Sequence, residues 1–84
     1  MEHYLILARS VTYAQRMQRA LVQAGIRCQI ARAPRELTDL GCAYVVHLAP
    51  NDLALSLTIL HRERLYPVRV FFFQHDGYRE VLPV

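Results

Sequence analysis

Apolar and polar positions along the chain alternate with two different periods, and each change of period marks an element. Tyr4-Leu5-Ile6-Leu7-Ala8 is a short apolar run rich in branched residues, which reads as a buried strand. Next, Tyr13, Ala14, Met17, Ala20, Leu21 and Ala24 recur at steps of three and four, with Gln15, Arg16, Gln18, Arg19 and Gln23 on the opposite side. That spacing predicts an amphipathic helix, with Ser10 as its N-cap and Gly25 as its left-handed stop. Ile26, Cys28 and Ile30 alternate with Arg27 and Gln29, giving a second strand that ends at Ala33-Pro34. Residues 34–41 form a polar loop, and residues 42–48 a third strand. Pro50-Asn51-Asp52 opens a second helix with Leu53, Leu57 and Leu60 as its core stripe, while Leu55 and Ile59 add apolar surface on another side. Residues 68–73 predict a fourth strand. Asp76-Gly77 is a two-residue hairpin signal leading into a short fifth strand over residues 78–82.

The order βαββαβ plus a terminal β predicts an α+β protein: a ferredoxin-like two-layer sandwich with an antiparallel sheet of order 4-1-3-2. The fifth strand is expected at the edge beside the fourth, where it covers a row of phenylalanines. Eighty-four residues without linker or repeat predict one domain over residues 1–84.

Composition narrows the chemistry. With 54% hydrophobic and 20% charged residues, the chain is not a solvated disordered segment. All ten basic residues are arginine, which excludes a lysine Schiff base and a Walker-type phosphate loop. Three glycines and no GxSxG motif leave hydrolase or kinase chemistry without its parts. Glu36 and Asp39 are better explained as loop-turn residues than as an acid–base pair. Two cysteines are too few for a disulfide framework, and Met1-Glu2-His3 lacks the basic region of a signal peptide. No apolar run is long enough to span a membrane. A cytoplasmic protein with reduced thiols is expected. Cys42 and His47 do not have zinc-ligand spacing, and His3, His47, His61 and His75 fall on different elements, so neither metal nor cofactor is expected.

The topology brings the start of strand three to the end of strand one. Cys42 should then lie near Arg9-Ser10 and the first-turn amides through Thr12, where free N–H groups favour a thiolate. Arg9, Arg32 and Arg35 belong to the same end. Gly41 opens the strand just before the thiol. Cys28, between two isoleucines, reads as core packing.

Nucleic-acid binding is not expected. Tyr4, Tyr44, Phe71, Phe72 and Phe73 lie on strands, but successive residues point to opposite faces and no basic-Gly-aromatic run is present. The apolar surplus instead predicts a homo-oligomer that buries either a sheet face or the second-helix face carrying Leu55 and Ile59.

The segments Tyr4-Leu5-Ile6-Leu7, Ser10-Val11-Thr12, Ala24-Gly25-Ile26 and Ala33-Pro34-Arg35-Glu36-Leu37-Thr38 together resemble a small bacterial domain family described as putative Se/S carrier protein-like. The resemblance covers roughly residues 3–74. It implies a thiol-bearing protein of sulfur or selenium handling, holding a persulfide or selenide on Cys42 and exchanging it with donor and acceptor proteins. The family pattern has Cys followed by Gly after this loop, whereas the order here is Gly41-Cys42. Two functional classes follow. One is a carrier of this kind. The other is a non-enzymatic, homo-oligomeric regulatory or interaction module that binds a small anion.

Overall fold

Burial on the first strand sets the layering. The computed structural model describes residues 2–37, 43–75 and 77–81. In it β1 (His3–Ala8) buries four consecutive residues, Leu5 to Ala8, so both faces of this strand are covered. β1 is central. It pairs antiparallel with β3 (Tyr44–Leu48) on one side and β4 (Arg69–Gln74) on the other. β2 (Cys28–Arg32) flanks β3, and β5 (Gly77–Val81) flanks β4, both antiparallel. The sheet is five-stranded in the order β2-β3-β1-β4-β5. The sequence led us to expect the order 4-1-3-2 with a short edge strand beside the fourth; the sheet runs β2-β3-β1-β4-β5, and the five-residue β5 lies at the edge, paired with β4 from Gln74–Gly77 to Val70–Val81.

Two helices, α1 (Val11–Gln23) and α2 (Leu53–Arg62), complete the α+β architecture. Their side of the sheet carries the main core: Ile6, Val46 and Val70 from the strands meet Met17, Leu21, Ile59 and Leu60 from the helices. The opposite face has a second, smaller core of Leu5, Leu7, Val45 and Phe71. Leu37, on a single 3-10 turn in the β2–β3 connection (Arg35–Leu37), is buried against these four, and Ala31, Ala33, Ala43, Phe73 and Tyr78 pack half-buried around them. Removing a leucine side chain from water contributes about 2 kcal/mol, enough to hold a short connection against the sheet.

Both helices end in the same hydrogen-bonded motif. After α1, Ile26 N–H donates to Leu21 O and Gly25 N–H to Val22 O, with Gly25 at φ +86°. After α2, Leu65 N–H donates to Leu60 O and Arg64 N–H to His61 O, and here the left-handed position is an arginine, at φ +59°.

Two expectations change. The β4–β5 loop is His75-Asp76, because Gln74 pairs with Gly77 and makes the glycine the first residue of β5; Asp76 lies outside the described residues. His75 takes the positive φ (59°) that the first loop position requires. The second change concerns Ile59, which is 4% exposed and belongs to the core, so the outward apolar surface of α2 keeps Leu55 at 54% but loses its expected neighbour. Ser56, for which the sequence pattern carries no expectation, is fully buried on the same helix face, and its Oγ has no hydrogen-bond partner among the described residues.

Candidate functional site

The end of the sheet where β1 stops and β3 starts carries the sequence-predicted residues. Ala8 is paired with Tyr44, and Tyr44 in turn with Arg32. One residue further on, Ala33 N–H donates to Ala43 O at 2.9 Å, which closes the base of the β2–β3 connection. The β1–α1 junction and this base therefore share one end of the sheet. Cys42 and Gly41, together with residues 38–40, lie outside the described residues, so their position rests on the topology alone.

Ser10 caps α1. Its backbone is extended (φ −156°, ψ 166°), its Oγ accepts the Tyr13 N–H at 3.1 Å, and its carbonyl accepts the Ala14 N–H at 3.0 Å. The cap uses one of the orphan donors of the first turn; Val11 and Thr12 supply the others, and both residues are exposed. Arg9 lies with its guanidinium over the Tyr13 ring, 4.7 Å from the centroid, so its charge is held along the first turn of α1. Arg35 is placed differently. It sits on the turn that Leu37 anchors to the helix-free face, on the other side of the sheet from α1. The structure thus brings Arg9, Ser10 and Thr12 together and sets Arg35 apart from them.

Cys28 is a packing residue. Its side chain is half-buried against the main core, its Sγ points at Gln18 O at 3.9 Å, and Gln18 Nε2 donates to Cys28 O at 3.2 Å. Burial pushes the Cys28 thiol above its ordinary pKa, which keeps it protonated and slow to react.

Two arrangements escaped the sequence. The first is a row of half-buried rings across four strands on the helix-free face: His47 to His3 at 5.0 Å, His3 to Phe73 at 5.2 Å and Phe73 to Tyr78 at 5.0 Å. The histidines, on different elements and expected to form no cluster, are brought together by the β1–β3 register. Phe72 points to the other face and packs on Tyr4 at 4.7 Å. The second is a seam between α1 and the segment after α2. There the Tyr66 N–H donates to Tyr13 Oη at 2.8 Å, and Val68 N–H donates to Leu7 O at 2.8 Å. Both depend on register and on long-range contacts, for which a single sequence carries no local signal.

Among the described residues, no three of His, Cys, Asp and Glu gather as a metal site would need. No helix is long and apolar enough to cross a membrane.

A two-helix, five-strand α+β domain whose first helix is capped at the end of the sheet where β3 begins is the class that fold and site define. Residues 3–71 match the family model described as putative Se/S carrier protein-like, and the chain belongs to that family. No curated protein and no solved structure gives a match.

Proposed function

We propose that this protein is a small carrier of sulfur or selenium that uses Cys42 as its thiol. In this reading residues 1–84 form one cytoplasmic domain. Its core is a ferredoxin-like unit, with strands in the order 4-1-3-2 when counted from the β4 side and β5 appended outside. Membership of the carrier-like family supports the reading. The single structural observation that carries it is the pairing of Ala8 with Tyr44: Cys42 is two residues before Tyr44, and Ser10 is two residues after Ala8.

The chemistry asks little of the protein. The Cys42 thiolate attacks the outer sulfur of a donor persulfide, a new S–S bond forms, and the donor's own S–S bond breaks to release the donor as a thiolate. Cys42 then holds the persulfide until an acceptor thiolate takes the outer sulfur in the same way. Selenium follows the same bookkeeping. The amides of Val11 and Thr12, the Ser10 cap, Arg9 and, from the loop, Gly41 are the groups that would favour the negative sulfur, whereas Arg35, on the turn that Leu37 holds to the helix-free face, is not one of them. No general base is required once the thiol is ionised.

The test is alkylation at mildly acidic pH, with Cys28 as the slow internal reference, followed by mass spectrometry after exposure to a persulfide donor. Cys42 is expected to alkylate faster than a model thiol and to gain one sulfur, and Cys42→Ser to abolish the gain. A Cys42 that reacts no faster than a model thiol and takes up no sulfur refutes the carrier role.

A further inference from the structure

We infer that the seam between α1 and the segment following α2 is a docking surface for a partner protein that presents carboxylates around an apolar side chain. This rests on the carrier reading, in which the protein must meet a donor and an acceptor, and it says where and by what chemistry they are met. The two segments that form the seam, residues 9–25 and 61–68, contain Arg9, Arg16, Arg19, Arg62 and Arg64 but only one acid, Glu63. All five arginines are exposed, and Glu63 already lies 3.9 Å from Arg62. The seam is therefore strongly basic although the whole chain carries only +3.

Two of the large exposed apolar residues sit on this surface: Tyr66 at 47% and Val68 at 50% exposure. They are held in place by the Tyr66–Tyr13 bond and by the Val68–Leu7 bond. Beside them a groove of about 170 Å³ opens between α1 and the post-α2 turn, with Arg16 and Arg19 on one wall and Glu63 and Leu65 on the other. An exposed apolar patch beside a net positive charge carried by arginine has the composition of a protein-binding patch. The sign selects an acidic partner and argues against a second copy of this chain, whose own seam would repel it. The Tyr13 ring is already occupied by Arg9, and the Tyr66 ring has His61 edge-on to it at 5.5 Å, so beside Val68 the patch suits an aliphatic side chain better than a stacked base. The seam begins at Arg9, the residue that follows β1, so a partner seated here lies at the end of the sheet to which the carrier reading assigns Cys42.

The probe is a synthetic amphipathic peptide of Glu, Ala and Leu, titrated into the full chain and followed by backbone amide NMR, with the Glu→Gln peptide as control. Saturable shifts are expected at Tyr66 and Val68, weakening with added salt. The Arg16→Glu/Arg19→Glu protein is expected to bind about tenfold more weakly, and Val68→Ser to weaken binding without changing its salt dependence. All three positions are exposed helix or loop sites, and circular dichroism checks that the variants fold. Shifts centred on the His3–Phe73 face, equal binding of the Glu→Gln peptide, or tighter binding of a single-stranded oligonucleotide of equal charge would overturn the proposal. Cys42→Ser separates the two ideas: it should bind the peptide like the parent. Peptide binding without sulfur uptake refutes the carrier alone, and sulfur uptake without peptide binding refutes the docking surface alone.

Discussion

The phenol oxygen of Tyr13 accepts the backbone N–H of Tyr66 at 2.8 Å, joining two residues 53 positions apart. It ties the first turn of α1 to the segment that leads from α2 into β4, and so fixes one side of the candidate site to the rest of the fold. The same ring carries Arg9 at 4.7 Å, so one tyrosine holds both a backbone amide and a guanidinium.

Tyr13→Phe keeps the ring and removes the acceptor. The Tyr66 amide is solvent-accessible and can turn to water, so the expected loss is at the low end for a hydrogen bond, about 0.5–1 kcal/mol by urea denaturation. Hydrogen exchange gives the more specific readout. The Tyr66 amide should exchange faster in the variant while amides of β1 are unchanged, and equal protection would mean the phenol does not hold this segment.

Arg64 occupies a left-handed position (φ 59°) where glycine is unstrained. Holding a side chain there costs about 1 kcal/mol, and the two hydrogen bonds of the helix-ending motif do not involve the guanidinium. Arg64→Gly should therefore raise stability by roughly 0.5–1 kcal/mol, read as a higher urea midpoint at constant slope. The same variant removes a charge from the basic seam and should weaken the acidic peptide. A gain in stability with a loss in binding is the pattern expected where a charged side chain is kept at a strained position for contact.

Leu37 is the only apolar side chain that the described part of the β2–β3 connection buries, and it covers Leu5, Leu7, Val45 and Phe71. Leu37→Ala removes its packing and wets that face, so the expected loss is about 2–3 kcal/mol. Dye binding to the exposed face and a lower thermal midpoint would report it. A loss under about 0.5 kcal/mol, the range of ordinary surface changes, would show that the connection adds nothing to the second core.

What was legible in the sequence follows from the range of the interactions. The helix over residues 11–23, its Ser10 cap and its Gly25 stop are encoded within a few residues of each other, and they stand where the period and the cap chemistry put them. The packing role of Cys28 was equally local, set by the isoleucines around it. The β4–β5 turn came out one residue early because Asp-Gly is a common loop pair, whereas the cross-strand register decides which pair is the loop. On α2, Leu55 and Ile59 look alike in sequence; which of them faces the sheet depends on how the helix is rotated against β1 and α1, and Ile59 took the inner place together with the polar Ser56. The candidate site divides along the same line. Ser10 and Thr12 were found through local cap logic, but the separation of Arg35 from Arg9 could not be read, because Leu37 carries its turn to the far face through contacts with strands distant in sequence.

His47 supplies a pH dependence. Its imidazole is partly buried beside His3, with ring centroids 5.0 Å apart, and the two rings lie in a row with Phe73 and Tyr78. Burial first, and the charge of His3 second, hold its pKa below the ordinary 6.5. An unfolded chain takes up the proton near the ordinary value, while the folded chain does so only at lower pH. The unfolded state therefore binds more protons through that interval, and stability falls as the pH drops below about 6.5, levelling once the folded pKa is passed. Above that range both states are neutral and this contribution is constant. Urea midpoints measured from pH 7.5 down to pH 5 should show the decline, and His47→Gln should flatten it. An identical decline in the variant would assign the effect to other groups and leave the His3–His47 contact without a role in stability.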